Sequence, residues 1–400
     1  MAKTVHILVA LVFGLVVVGI FELAWHRRNL RRLAIRIHVN GTRGKSSVTR
    51  LIAAGLNAGG VPACAKTTGT SARLVLPDGR ELPVYRATPP SILEQLRVVA
   101  AAVASSARAL VIECMALQPE LQWFSEAKLV QSTHGVITNA RPDHLDVMGP
   151  EVRDVALALA ATTPRGGRLY TAERAHLEIL ATAARDRDTT IIAVDEAAVA
   201  AVGAADLAGF SYLEHAENVA LALRVCADLG IDRSVALHGM WRAAPDPGAL
   251  TEHLVEFFGR HVVFVNAFAG NDPTSTRRLW EEARVKHPEA RRHIAIVNCR
   301  ADRPARSAQF GAALVSWPAA DHVILIGTGT YLFARAATKA GLDASRLVFA
   351  EDQSVEEIFE TTVSLAGQSA LVMGMGNIAG PGLALSQCFR NRCRLPEGRS

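Results

Sequence analysis

No disulfide framework or zinc site can be built from the cysteines of this chain. There are six, Cys64, Cys114, Cys226, Cys299, Cys388 and Cys393, and only the last two lie close together. No histidine cluster stands beside that pair to complete a metal site, so reduced thiols in a reducing compartment are expected. Runs of Lys/Arg interleaved with aromatics are missing as well. The formal net charge is +5 and the sequence pI about 9.0 over 400 residues, a mildly basic balance that argues against nucleic acid as a partner. No internal repeat or low-complexity segment stands out. A charged fraction of 20% against a hydrophobic fraction of 50% is that of a folded chain. Its length suits about two or three domains with separate cores.

Charge is missing altogether from Ile7 to Phe21, which reads ILVALVFGLVVVGIF. As a helix, Val5 to Trp25 would extend ~30 Å at ~1.5 Å per residue, the thickness of a hydrocarbon core. Trp25 stands where an interfacial aromatic belongs, and Arg27, Arg28, Arg31 and Arg32 follow at once, whereas only Lys3 and the amino terminus precede. The positive-inside rule then places the body of the chain in the cytoplasm. A cleaved signal peptide would carry its basic region before the apolar run and an A-x-A-like site after it, and neither is present. Residues 1–26 are therefore expected to form a single membrane anchor.

Beyond Leu33 short β-rich runs alternate with longer helical patterns, which predicts an α/β fold built on parallel sheet. Strands are expected at Ile35–Val39, Leu110–Ile112, Gly135–Thr138, Arg168–Thr171 and Thr190–Val194, with helices at Lys45–Ala58, Pro150–Ala161 and Ala172–Arg185. At AAPDPGA, Pro245, Pro247 and Gly248 interrupt both patterns. A boundary is placed there, with residues 31–248 as one domain and 249–400 as a second, smaller Rossmann-like domain. The second series of strands is expected at Val262–Val265, His293–Asn298, His322–Ile326, Arg346–Phe349 and Ala370–Met373.

The segment IRIHVNGTRGKSS carries the clearest chemistry. A β-branched strand runs into Gly41, Thr42, Arg43, Gly44, Lys45 and Ser46, and a helical pattern continues from Ser47. Glycines let successive N–H groups turn toward an anion, and the helix start adds its positive dipole end. Lys45 can reach the β- and γ-phosphates of a nucleotide, and the Ser46 hydroxyl can ligate magnesium. Val39 stands where the full Walker form has its first glycine, so the loop is the shortened G-T-x-G-K-[ST]. Glu113 ends an apolar strand at the edge where α/β sites are built. Asn139 ends another, followed by Asp143-His144-Leu145-Asp146. Carboxylate, imidazole and hydroxyl at such an edge suit a nucleotide-bound magnesium. In VMGMGNIAG, Gly374, Gly376 and Gly380 are spaced G-x-G-x-x-x-G without a following acid, which is not the dinucleotide fingerprint.

G-T-x-G-K-S after a strand, KTTGTSAR at Lys66–Arg73, and N-x-x-x-D-H-L-D from Asn139 to Asp146 together resemble the Mur ligases and folylpolyglutamate synthases. In the second domain, Phe268, Ala269, Asn271, Pro273 and Ser275 keep the outline of a Mur-ligase segment, with Asn266 where that segment has an acid. NCRADR is similar to the family's D-R turn, and strand-end arginines suit carboxylate or phosphate. With IECMALQPE, APDPGA and GMGNIAG, the whole chain looks most like the poly-γ-glutamate synthases, whose N-terminal anchor soluble Mur ligases lack. The resemblance implies an ATP-dependent amide ligase acting on glutamate and a growing poly-γ-glutamate chain through an acyl phosphate. A multi-spanning membrane partner would take the product, and a homo-oligomer is left open.

Residue by residue, the resemblance puts ATP on Gly41, Thr42, Arg43, Gly44, Lys45, Ser46, Ser47 and Asn218, the last from the helix start HAEN. Magnesium falls to Ser46, Glu113 and His144, and catalysis to Lys45, Glu113 and His144. Thr68, Thr70, Asn139, Arg300 and Arg303 are the candidate substrate contacts. One family feature is missing: no lysine occurs between Lys128 and Lys286, where Mur ligases often carry a carbamoylated lysine that bridges metals. Folylpolyglutamate synthase is the nearest rival activity. A membrane-tethered P-loop kinase or switch and a non-catalytic scaffold are the more distant ones.

Overall fold

The computed structural model describes residues 2–68, 72–86, 89–246, 249–269 and 273–393. Gly69, Thr70, Pro247, Gly248 and Asn271 lie outside the described residues. Two compact units are present, one of residues 1–210 and 214–244, the other of 211–213 and 245–400.

In the first unit an eight-stranded sheet has the order β4-β3-β2-β5-β1-β6-β7-β8. Its strands are β1 (Ile35–Asn40), β2 (Ala63–Lys66), β3 (Arg73–Val75), β4 (Glu81–Pro83), β5 (Ala109–Glu113), β6 (His134–Ile137), β7 (Arg168–Thr171) and β8 (Thr190–Ala193). All pairs are parallel except β2–β3 and β3–β4. Strands β2 to β4 are not apparent in the sequence. The first reads ACAK, and alanine and lysine are poor strand formers, yet all four residues are buried. Burial on both faces decides the outcome over propensity. The helix expected from Ala172 starts only at Leu177. Before it, the Glu173 carboxylate accepts from the backbone N–H groups of Ala140 and His176 at 2.7 and 3.0 Å, which holds the preceding turn open.

Helix α1 runs from Ala2 to Arg32, longer than the anchor expected to end at residue 26. The described side chains of its apolar stretch are exposed, with a mean hydropathy of 2.8 over the most apolar window. The helix continues because the last turns have a buried face of their own. His26, Asn29, Leu30 and Leu33 recur at helical spacing and are covered, while Arg27, Arg28, Arg31 and Arg32 point to solvent. Leu30 and Leu33 join a core cluster with Leu110, Ile112, Val98 and Val99. The last two come from α3 (Glu94–Ala104), directly N-terminal to β5, whereas the helix after the glycine loop, α2 (Lys45–Ala58), follows β1.

The second unit holds a six-stranded sheet ordered β13-β12-β11-β14-β10-β9. Its members are β9 (Thr251–Phe257), β10 (Arg260–Asn266), β11 (Arg292–Cys299), β12 (His322–Gly327), β13 (Leu347–Phe349) and β14 (Ser369–Met375). Only the edge strand β9 is antiparallel. Alternate residues of β11 feed two cores: Ala295 and Val297 pack with Trp280, Phe310 and Phe333, while Ile294 and Ile296 pack with Phe264, Phe268 and Phe389. Helices thus cover both faces, as a buried parallel sheet requires.

Candidate active site

Strand β1 sits between β5 and β6, and the chain leaves it toward β2 on one side but later crosses to β6 on the other. That reversal opens a crevice at the carboxyl ends of the strands, where α/β sheets bind ligands. The loop Gly41–Gly44 crosses the crevice. Gly41 has φ 132°, and a Cβ there would lie 2.0 Å from Thr138 Oγ1. Gly44 has φ 82°, with a Cβ position 2.5 Å from Asn218 Oδ1. Both positions therefore need glycine for backbone and for space.

Neighbouring strand ends grip the loop. Thr42 donates its N–H to the Asn139 carbonyl at 3.0 Å and its hydroxyl to Asn139 Oδ1 at 2.7 Å. Arg43 donates its N–H to the same Oδ1 at 3.1 Å, and Thr138 Oγ1 donates to the Arg43 carbonyl at 2.6 Å. The Asn139 side chain is spent on holding the loop. From the other side Asn40 donates to Gln122 Oε1 at 2.8 Å and accepts from the Gly41 N–H at 2.9 Å.

Lys45 opens α2. Its ammonium folds back on the loop and donates to the Gly41 carbonyl at 2.6 Å, so phosphate oxygens would replace a carbonyl partner there. Ser46 Oγ donates to Glu113 Oε2 at 2.9 Å, and the Thr68 N–H donates to the same oxygen at 2.7 Å. Hydroxyl and carboxylate are hard oxygen donors of the kind that hold magnesium together with phosphates and water, so this pair fits such an ion. His144 takes a left-handed conformation at φ 47° and lies 3.8 Å from Asp143. Asp143 is 4.0 Å from Arg43. Among the described residues no group of three or more His, Cys, Asp or Glu side chains is gathered for a metal.

Asn218 reaches Gly44 from the start of the helix Ala216–Asp228. It donates to Glu214 Oε1 at 2.8 Å, and the other Glu214 oxygen accepts from Ser47 Oγ. Glu214 is thus a link between α2 and Asn218 that sequence reading missed. Its signal, an acid directly before a helix start, is common to ordinary caps. In the second unit Arg300 and Arg303 line a cleft with Asn298, Arg306, Gly376 and Asn377 at the strand ends. Arg300 is held in a two-pronged pair with Asp302 at 2.8 and 2.5 Å.

Two histidines of the first sheet are shifted in opposite senses. His38, fully buried in β1, lies 2.8 Å from Glu126. Burial disfavours its cation, but the Cys114 thiol and the Glu126 carboxylate outweigh it and lift the pKa to about 9. His134 on β6 is pushed down to about 4 by burial, with Arg168 adding to the effect. The His38 contribution is complete below about pH 6.5 and is lost as pH rises through about 9. That of His134 is complete above about pH 6.5 and is lost as pH falls through about 4. From these two groups, stability should peak near pH 6.5 and fall on both sides, by on the order of 2–3 kcal/mol across each limb. Thermal midpoints across that range check it. His134→Gln should flatten the acid limb, and an alkaline limb without slope would overturn the His38 assignment.

Comparisons with known proteins agree with this architecture. Residues 39–161 match the Mur ligase middle domain, and residues 251–392 match the poly-gamma-glutamate synthase CapB C-terminal domain. The capsule biosynthesis protein CapB of Bacillus anthracis is 38% identical over 368 residues, covering 92% of this chain and 78% of that protein. The PGA synthase CapB of Bacillus subtilis (strain 168) is 36% identical over 368 residues, covering 92% and 93%. In fold, the chain is similar to a bifunctional folylpolyglutamate synthase/dihydrofolate synthase from Yersinia pestis complexed with AMPPNP and Mn ion. The TM-score is 0.65 at 15% identity, covering 92% of each chain. The two sheets, the phosphate loop and identity along nearly the whole chain lead to one assignment: the chain belongs to the poly-γ-glutamate synthase CapB family.

Proposed function

We propose that this protein is an ATP-dependent amide ligase that joins glutamate through its γ-carboxylate to make poly-γ-glutamate. The observation that carries the reading is the meeting of Lys45, Ser46 and Glu113 at one sheet edge in a CapB-family chain. A carboxylate is a poor electrophile, so it must first be activated. Its oxygen attacks the γ-phosphorus of ATP, the bond to ADP breaks, and an acyl phosphate forms. The amine of glutamate then attacks the acyl carbon, loses a proton and expels phosphate. Loop N–H groups and Lys45 hold the phosphates and offset the charge that develops in transfer. Asn139, Thr42 and Thr138 keep the loop in shape, and Asn218 bounds the nucleotide at Gly44. Ser46 and Glu113 would hold magnesium, joined by His144 from the D-H-L-D turn; when bound, the ion neutralises phosphate charge. Arg300 and Arg303, with Thr68 and Thr70, are the proposed contacts for substrate carboxylates.

Residues 31–248 form the ATP-binding domain in this reading and 249–400 the ligase domain. Helix α1 is a single membrane crossing with the rest cytoplasmic, as its exposed apolar length and the arginines after it support. A multi-spanning partner would carry the anionic product outward.

The deciding experiment is a product assay on the full chain in vesicles, with ATP and L-Glu or D-Glu, each in the presence and absence of dihydrofolate. Release of ADP with γ-linked glutamate product is expected for a glutamate isomer, and no ligation to dihydrofolate. Ligation to dihydrofolate alone would overturn the reading in favour of folylpolyglutamate synthesis.

A further inference from the structure

The helix α4 (Pro119–Phe124) follows β5 and runs directly into a π-helical turn, Ser125–Val130. Its two faces differ sharply. Gln122, Ser125, Glu126, Leu129 and Val130 are buried against the sheet, whereas Leu121, Trp123, Phe124 and Lys128 are exposed, with Trp123 46% accessible. Large apolar side chains clustered on a surface point to something that covers them.

The neighbouring element says what that is. His26 donates from Nε2 to the Leu129 carbonyl at 2.9 Å, which pins the π-helical turn against α1 one residue past Trp25. That is the level at which the apolar run of α1 ends and its arginines begin. The same pairing of groups occurs on both elements: the Arg28 guanidinium lies 6.0 Å from the Trp25 ring, and the Lys128 ammonium 5.8 Å from the Trp123 ring. A tryptophan beside a cation suits the headgroup layer, where the ring meets the acyl boundary and the cation meets anionic phosphates. Among the described residues no ion pair ties Arg27, Arg28, Arg31, Arg32 or Lys128 to a carboxylate of this chain. Glu120, on the first turn of α4, is exposed and needs water.

We infer that Leu121, Trp123, Phe124 and Lys128 form a second membrane contact, seated in the headgroup layer of an anionic bilayer beside the exit of α1. The inference rests on α1 being the membrane anchor. Its inner face connects the contact to the phosphate loop, since Gln122 accepts from Asn40, which in turn accepts from the Gly41 N–H. Lipid seating thus bears on the nucleotide site through two hydrogen bonds.

Tryptophan quenching by brominated lipid tests this on the full chain in vesicles containing phosphatidylglycerol. The Trp25→Phe form leaves Trp123 as the exposed reporter, because Trp280 and Trp317 are buried and Trp241 half-buried. Expected is a loss of roughly a quarter of the emission in brominated vesicles, absent when Trp123→Phe is added. Lys128→Glu should reduce the quenching in anionic vesicles and leave it unchanged in neutral ones. Co-flotation of the Trp25→Phe form without quenching would overturn the second contact, and is the result expected if a protein partner covers this face. Failure of the wild-type chain to co-float would overturn the anchor instead, and the inference with it.

Discussion

Lys45→Ala should lower ATP-dependent polymer formation by roughly 100- to 1,000-fold while leaving the chain folded and bound to vesicles. The side chain sits at the start of α2, where the strand-loop-helix junction aims N–H groups at an anion. Its contacts in this structure are the Gly41 and Thr42 carbonyls at 2.6 and 3.4 Å, at the loop surface. Losing them costs about 1 kcal/mol or less in stability, so a large fall in turnover reports on phosphate chemistry and not on unfolding. Paired measurements of ADP release and thermal midpoint on one preparation separate the two. Wild-type polymer yield from this variant would remove the phosphate-site assignment.

Glu113→Ala should be nearly as severe, by a different route. Its Oε2 gathers the Ser46 hydroxyl and the Thr68 N–H, so the carboxylate joins the loop helix to the end of β2. If the pair holds magnesium, turnover should fall about 100-fold or more, while ATP affinity changes far less because Lys45 and the loop amides remain. Raising magnesium should restore part of the rate, since a missing ligand lowers metal affinity. Burial of Glu113 adds a stability loss of about 1–2 kcal/mol, because the Thr68 N–H loses its partner. His144→Ala provides the comparison. As a third ligand, it should show the same magnesium-dependent rescue. A rate that no magnesium concentration alters would take His144 off the metal and return it to its turn beside Asp143. Near-normal turnover in the Glu113 variant would leave only the phosphate loop standing.

How much of this could be read from the chain alone depended on where each partner lies. The α2 limits, Lys45 and Ala58, are readable because a glycine stop, a lysine-serine start and an apolar stripe sit within one short stretch. Most parallel strands are readable as β-branched runs for the same local reason. The Ser46–Glu113 contact joins residues 67 apart, and it was foreseeable only because both stand at strand or helix ends along one edge. Other features had no local mark. Lys66 looks like a surface lysine but is fully buried, held at 2.6 Å by Glu94, which also pairs with Arg86. Burial lowers the Lys66 pKa despite that partner. The Glu126 that meets His38 is 88 residues away, and Gln122 is 82 from Asn40. Tertiary pairs of this kind decide how the loop is braced, and no period or turn residue announces them. Helix α1 is a mixed case. Its apolar run is plain, but its extension to Arg32 depends on a narrow stripe of His26, Asn29, Leu30 and Leu33.

That stripe makes α1 a stalk and not a leash. A domain on a flexible tether samples a hemisphere whose radius grows with the square root of tether length. Here the helix passes unbroken from its exposed run into a terminus embedded in the core. With α1 as the proposed membrane anchor, the first unit would keep one tilt and one azimuth relative to the stalk, and its crevice would open at a set height above the bilayer. A ligase mounted in this way would present that crevice to the proposed membrane partner in one pose.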